Sequence, residues 1–123
     1  LIQSHIETLI TEEGVYGFPD RLRKLLTEHG HQLTNERNYP FVGADILVVS
    51  PNGLWLVSGD FAMISITPYW AEGSGAQFAL GALHALYGRP ETTLEYAMRV
   101  ALTAAERYSA NCGGELWIKK IPL

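Results

Sequence analysis

The spacing of apolar positions at the start of the chain predicts two consecutive helices. Residues 1–12 place apolar side chains at helical intervals. Residues 18–29 repeat this spacing after Pro19, which stands where a first helical turn tolerates its missing N–H. Gly30 follows the last turn, as is typical of a left-handed helix end. The polar residues 31–40 then predict a loop.

The middle of the chain changes to strand-like patterning. Residues 41–50 form an almost continuous apolar run, which predicts a strand buried on both faces. The Pro-Asn-Gly sequence at 51–53 predicts a hairpin turn into a second strand over residues 54–58, because Asn-Gly accepts positive φ angles. A further turn at residues 59–60 leads to a third predicted strand over residues 61–67.

Small residues dominate the next stretch. Gly73-Ser74-Gly75 predicts a tight turn, and the helix predicted over residues 75–87 is so rich in alanine that another element must approach it closely. The sequence Thr-Thr-Leu-Glu then matches a capping box, in which the Thr92 hydroxyl accepts from a free N–H and Glu95 reaches back.

A long helix and a last strand complete the pattern. The helix is predicted to run to about Tyr108, and Gly113-Gly114 separates it from an alternating strand over residues 115–121. The order is α-α-β-β-β-α-α-β, which predicts an α+β fold in a single domain spanning residues 1–123.

Composition narrows the possible functions. The 123 residues are 47% hydrophobic and carry a net charge of −4 without a cluster of lysine and arginine, so we expect no nucleic-acid partner. The longest apolar stretch, Ile46 to Val49, is far shorter than the roughly 20 residues of a membrane span, so we expect no membrane partner. The single cysteine and the lack of a signal-peptide pattern predict a cytoplasmic protein.

Candidate residues for cofactor or metal chemistry are few. Phe78 stands where a dinucleotide-binding fingerprint would need its third glycine, so we expect no nucleotide cofactor. His29 and His31 have a spacing that does not bring two side chains to one helix face, and we expect no metal site. Asp45 lies within an apolar run, where a carboxylate must be paired or lie at an edge.

Four signals occur in a fixed order along the chain. They are the Asn52-Gly53 hairpin, the segment 71–83 with its Gly-Ser-Gly turn, the helix over residues 92–108, and Cys112-Gly113-Gly114 before residues 116–118. Their order and spacing resemble the C-terminal portion of the proteasome β-subunits and bacterial proteasome-like peptidases, which belong to the N-terminal-nucleophile hydrolases. Within this superfamily, the chain most resembles the small proteasome-like proteins of bacteria and their phages.

The resemblance implies a fold and a reaction. It implies a four-layer α-β-β-α sandwich, of which this chain would form only a part. In the family, an N-terminal Thr, Ser or Cys attacks the peptide bond, and its free amine serves as the base. The sequence begins at Leu1, which has no nucleophilic side chain. We therefore expect the catalytic strands to lie in a preceding segment that this chain lacks. Within residues 1–123 we expect no catalytic residue.

The resemblance also places residues near the family's active site. Gly73, Ser74 and Gly75 match the turn beside the nucleophile. Ser109 stands where the family usually has an aspartate, and Cys112 stands where it usually has a serine. A serine does not supply the negative charge of an aspartate, so this departure weakens the expected hydrogen-bond network.

Two functions from different classes follow as hypotheses. The first is an N-terminal-nucleophile hydrolase, whose intact form cuts peptide or amide bonds and assembles into homo-oligomeric rings. The second is a non-catalytic, self-assembling scaffold that has the fold and has lost the chemistry, which the change to Ser109 favours. A small-ligand module at the start of the Gly73–Gly75 helix is a third, less supported alternative.

Overall fold

The computed structural model describes residues 15–31, 34, 42–51 and 53–122. The described residues fall into two compact units, which we call the N-terminal and C-terminal units. The helix predicted over residues 1–12 and most of the loop predicted over 31–40 lie outside the described residues. The elements, in chain order, are a 3-10 turn at Val15–Gly17, α1 (Phe18–Glu28), β1 (Ile46–Ser50), β2 (Gly53–Val57), β3 (Met63–Ile66), α2 (Ala76–Leu86) and α3 (Leu94–Tyr108).

The N-terminal unit packs α1 against one face of a three-stranded antiparallel sheet. The strands lie in the order β1-β2-β3. Its core is formed by Phe18 of α1 and by Val48, Trp55 and Val57 of the sheet. Because successive strand residues point to opposite faces, the inward position of Val48 turns its neighbours outward, and Val49 is 52% exposed. The prediction of a strand buried on both faces was therefore wrong, and β1 is shorter than the predicted range of 41–50.

Local sequence signals define α1 well. Pro19 lies in its first turn, as predicted, and is buried together with Phe18. The helix ends at Glu28, and Gly30 adopts a φ of 82°, which the absence of a Cβ permits.

The C-terminal unit is built on the contact between α2 and α3. Alanines on both helices form most of its core: Ala79 of α2 faces Ala97, Ala101 and Ala105 of α3, and Leu83 completes the cluster. This packing of α3 against α2 through small side chains confirms that another element approaches the alanine-rich helix closely. Small side chains let two helix backbones come near each other.

The start of α3 corrects one prediction. The residue that caps the helix is Thr93, whose hydroxyl accepts from the backbone N–H of Tyr96 at 3.1 Å. Thr92 is one residue too early to reach the free N–H groups of the first turn. Glu95 instead pairs with Arg99 one turn along the helix, at 3.1 Å.

Substituting the two threonines separately tests the position of the cap. Thr93→Ala is expected to lower the free energy of unfolding by about 1 kcal/mol, because it leaves one helical N–H without its partner. Thr92→Ala is the matched control and is expected to change it by less than about 0.5 kcal/mol. Urea unfolding followed by circular dichroism measures both. Equal losses for the two variants would contradict the assignment of Thr93.

The final strand was also predicted wrongly. Residues 115–122 are all described, and none of them forms a strand. Trp117 is 77% exposed. An alternating sequence becomes a strand only when a neighbouring strand accepts its backbone hydrogen bonds, and the described part of the chain brings none alongside. Across the part of the chain that the structure describes, the order of helices and strands is α-β-β-β-α-α, which keeps the predicted α+β class.

Candidate functional site

Three side chains converge at the N-terminal end of α2. The Ser74 hydroxyl oxygen lies 3.3 Å from the Cys112 sulfur. The Ser109 and Ser74 hydroxyl oxygens lie 3.4 Å apart. The two serines are 35 positions apart in the sequence, so only the folded C-terminal unit brings them together. We call Ser74, Ser109 and Cys112 the Ser-Ser-Cys cluster.

Backbone turns fix each member of the cluster. Ser74 lies in the turn closed by the hydrogen bond from the Ala76 N–H to the Gly73 carbonyl, at 3.1 Å. Gly73 has a φ of 108°, which only glycine adopts without strain. Ser109 is the last-turn cap of α3, and the Cys112 N–H donates to its carbonyl at 3.2 Å. The cluster therefore joins the start of one helix to the end of the other.

Gly75, the residue before α2, lies tightly against Ala105 of α3 and against Cys112. A Cβ added there would lie 2.7 Å from the Ala105 Cβ and 2.7 Å from the Cys112 sulfur. No real side chain fits at that distance, so glycine at this position is a steric requirement. Of the three predicted residues in the turn, Gly73 is needed for its backbone angle, Gly75 for its lack of volume, and Ser74 supplies the polar group.

The environment of Cys112 favours its thiolate. Hydrogen bonds from Ser74 and Ser109, followed by one from the Gly75 N–H, lower the pKa of the Cys112 thiol, although partial desolvation opposes them. No charged side chain is among the causes. The pKa of the Cys112 thiol is lowered because hydrogen-bond donors stabilise the negatively charged sulfur. The cluster can therefore hold a nucleophilic or hydrogen-bonding sulfur beside two hydroxyls.

Alkylation of Cys112 tests these hydrogen bonds. Thiolate is the reacting form, so a lowered pKa moves the midpoint of the rate-against-pH curve below that of an ordinary thiol. Ser74→Ala is expected to move the midpoint upward, and Ser109→Ala to move it upward by less. The chain has one cysteine, so iodoacetamide labelling followed by mass spectrometry reports this site alone. Ser65→Ala, at an exposed position of β3, is the control. A Ser74→Ala midpoint equal to the wild-type value would contradict the assignment.

A cleft of about 580 Å³ opens beside the cluster within the C-terminal unit. Its floor is formed by α2 and α3, including the buried alanines Ala79 and Ala101. One side is formed by residues 70–72 and the other by residues 111–117, including Cys112. Sequence analysis missed this cleft, because its apolar floor combines residues of two helices and cannot be recognised from either helix alone.

The other candidate residues have local structural roles. Asp45 lies just before β1, rather than inside a strand, and its carboxylate accepts from the Gly59 N–H at 3.0 Å. Asp60 lies in a turn, where the Ser58 hydroxyl and then the Ala62 N–H lower the pKa of its carboxyl. The sequence predicted that the Asp45 carboxylate is either paired or at an edge, and the structure places it outside β1 with one backbone N–H as its partner. The turn predicted at residues 59–60 is confirmed.

Two further observations concern ligands and membranes. Across the described residues, no group of three or more His, Cys, Asp and Glu side chains could hold a metal ion. Within the same part of the chain, every helix is too short or too polar to cross a bilayer.

Comparison with solved structures supports a proteasome-like fold for this chain. The chain is similar to BPH of Thiobacillus denitrificans, a bacterial proteasome homologue, with a TM-score of 0.70 and 24% identity over 86% of this chain. A structure of the same protein in complex with epoxomicin gives a TM-score of 0.69, with the same identity and coverage. The chain spans 56% of the length of BPH. No protein-family model and no curated protein sequence matches the chain.

Proposed function

We propose that this chain is part of a proteasome-like N-terminal-nucleophile hydrolase that cuts peptide or amide bonds. The observation that carries the proposal is the Ser-Ser-Cys cluster, which lies at the Gly-Ser-Gly turn of a proteasome-like fold. The attacking residue would come from a part of the subunit outside these 123 residues. The cytoplasm is the proposed location, and a ring-type homo-oligomer is the proposed assembly.

The cluster would act on the amine of the nucleophile. In this chemistry the free α-amine accepts the proton of the attacking hydroxyl or thiol and later returns it to the leaving amine. A hydrogen-bonded amine keeps its lone pair directed toward the nucleophile. The neutral amine has two N–H groups, and any two of the Ser74 oxygen, the Ser109 oxygen and the Cys112 sulfur can accept them. Their role would be to position the base, because none of them attacks the substrate.

Ser109 also favours the second candidate function, a non-catalytic self-assembling scaffold. An aspartate at that position would add a negative charge that stabilises a protonated amine, and a serine supplies no such charge. The exposed apolar side chains of the sheet, Leu47, Val49 and Ile64, are the kind of surface that assembly covers. A scaffold would bury this surface between subunits and would need no nucleophile.

Expressing the intact product of the natural gene separates the two functions. Intact mass and N-terminal sequencing give its first residue, and native mass gives its assembly. The hydrolase predicts an exposed Thr, Ser or Cys at that position, cleavage of fluorogenic peptides, and inhibition by epoxomicin, the compound present in one of the BPH structures. Ser74→Ala is expected to reduce kcat by about 10²-fold, and Ser65→Ala to leave it unchanged. An assembled product without a nucleophile or peptidase activity would establish the scaffold instead.

A further inference from the structure

A carboxylate, that of Glu106, lies beside the Ser-Ser-Cys cluster. Glu106 belongs to the last turn of α3, three residues before Ser109, and side chains at this spacing share one face of a helix. It lines the cleft together with Asn111 and Cys112. Among the described residues, none forms an ion pair or a hydrogen bond with its carboxylate. The cluster and an unpaired negative charge therefore border the same space.

The last turn of a helix is an unfavourable place for an acid. The partial negative charge of the helix C-terminus repels a carboxylate. The guanidinium of the neighbouring Arg107 lies over the Tyr108 ring, 5.8 Å from its centroid, and within the described part of the chain no ion pair joins it to Glu106. The described lining of the cleft contains no lysine or arginine. A cation bound beside Ser109 would balance this charge.

Two other carboxylates line the cleft, and both are less suited to hold such a cation. Glu72 already accepts a hydrogen bond from the Trp70 indole at 2.6 Å. Glu115 lies outside any helix or strand, so no regular element fixes its position. Of the three, Glu106 alone is carried by the helix that also positions Ser109.

The proposed hydrolysis produces a cation at this place. When the α-amine of the nucleophile accepts a proton, it becomes an ammonium ion, and a nearby negative charge stabilises that state. The hydroxyls of Ser74 and Ser109 are uncharged, and the Cys112 side chain carries a charge only as its thiolate. A glutamate carboxylate carries a full negative charge at neutral pH.

We propose that Glu106 supplies the negative charge that stabilises the protonated α-amine of the nucleophile. It would be a positioning residue, because it acts on the base and does not itself exchange a proton with the substrate. The inference rests on the proposed function and deepens it, since it names the side chain that sets the proton affinity of the base. Its direct consequence is that Glu106 raises the pKa of the α-amine.

Titration of the α-amine in the intact gene product tests the proposal and needs no peptidase activity. Trace labelling with acetic anhydride over a pH series, followed by mass spectrometry of the N-terminal peptide, gives the midpoint. Glu106→Gln removes the charge and keeps the size of the side chain, so the midpoint is expected to fall by at least about 0.5 pH unit. Glu106→Asp is expected to retain part of the effect. Glu91→Gln, at an exposed position before α3, is the matched control and is expected to leave the midpoint unchanged.

The other titratable side chains that line the cleft are Glu72, Cys112 and Glu115. Cys112→Ser, measured in parallel, separates the charge of a thiolate from that of Glu106. A midpoint that falls in Cys112→Ser and stays unchanged in Glu106→Gln would assign the charge to the thiolate and overturn the proposal. An unchanged midpoint in both variants would overturn it as well.

The pH dependence of peptide hydrolysis gives a second readout. Only the unprotonated amine acts as a base, so the acidic limb of kcat/KM against pH follows the pKa of the amine. In Glu106→Gln this limb is expected to move to lower pH, with a loss of about 3–10-fold in kcat on the plateau. Added salt is expected to shrink the difference, because it screens an exposed charge. A loss of kcat without movement of the limb would indicate a merely structural role and contradict the proposal.

The two readouts distinguish this inference from the proposed function. A lower midpoint in Glu106→Gln, found in an intact product without peptidase activity, would support the interaction with the amine and contradict the hydrolase. An unchanged midpoint in an active product would overturn the role of Glu106 alone.

Discussion

Replacing Trp55 with alanine is expected to lower the free energy of unfolding of the N-terminal unit by about 3–5 kcal/mol. The indole is 6% exposed and packs in one cluster with Phe18, Val48 and Val57. Removing it leaves a cavity that α1 and the sheet cannot fill without moving their backbones. Urea unfolding, together with hydrogen exchange of amides in β1 and β2, measures the loss.

Trp55→Phe separates packing from polarity at the same position. The indole Nε1 is buried and has no hydrogen-bond partner among the described residues. Phenylalanine keeps most of the ring volume and removes this unpaired N–H, so the relief of desolvation offsets part of the lost packing. We expect a net change of less than about 1.5 kcal/mol. A phenylalanine variant as unstable as the alanine variant would contradict this account of the core.

The second large effect is expected at Gly75. Gly75→Ala is expected to lower the free energy of unfolding of the C-terminal unit by about 1–3 kcal/mol, because the new methyl group overlaps Ala105 and Cys112. The added methyl should also displace the Cys112 sulfur from Ser74 and shift the alkylation midpoint of the thiol upward. Urea unfolding and iodoacetamide labelling measure the two consequences.

Gly81→Ala is the matched control for Gly75. Gly81 lies inside the same helix, and a Cβ there would meet nothing within 4 Å. Alanine favours the helix, so this variant is expected to be more stable by about 0.5–1 kcal/mol. Opposite signs at two glycines only six residues apart would establish that packing against α3 sets the requirement at Gly75. Similar effects at both positions would contradict it.

Local signals in the sequence predicted most of the regular elements and part of the site. Pro19 and Gly30 mark α1, and the alanine spacing marks the helix pair. The Gly-Ser-Gly turn correctly indicated the start of α2. The resemblance to the proteasome-like family placed Ser74, Ser109 and Cys112 near one site. That these three side chains lie within hydrogen-bonding distance is a result of the tertiary structure.

Two of the wrong predictions concern interactions between distant parts of the chain, and the third concerns helix register. The strand expected over residues 115–121 needs a neighbour that the described residues do not provide. The apolar run of β1 indicates burial on both faces, although α1 covers only one of them. The four-residue capping pattern begins at Thr92, whereas the observed helix has its cap at Thr93.

The sequence by itself determined where most of the described helices and turns form, because glycine angles and apolar spacing act between residues close in the chain. It also determined that hydroxyl and thiol side chains, those of Ser74, Ser109 and Cys112, are present for the candidate site. Only the tertiary structure decided which of these groups meet, that Gly75 has no room for a side chain, and that an apolar cleft lies beside Cys112. Those features depend on distances between residues far apart in the chain, which no local pattern specifies.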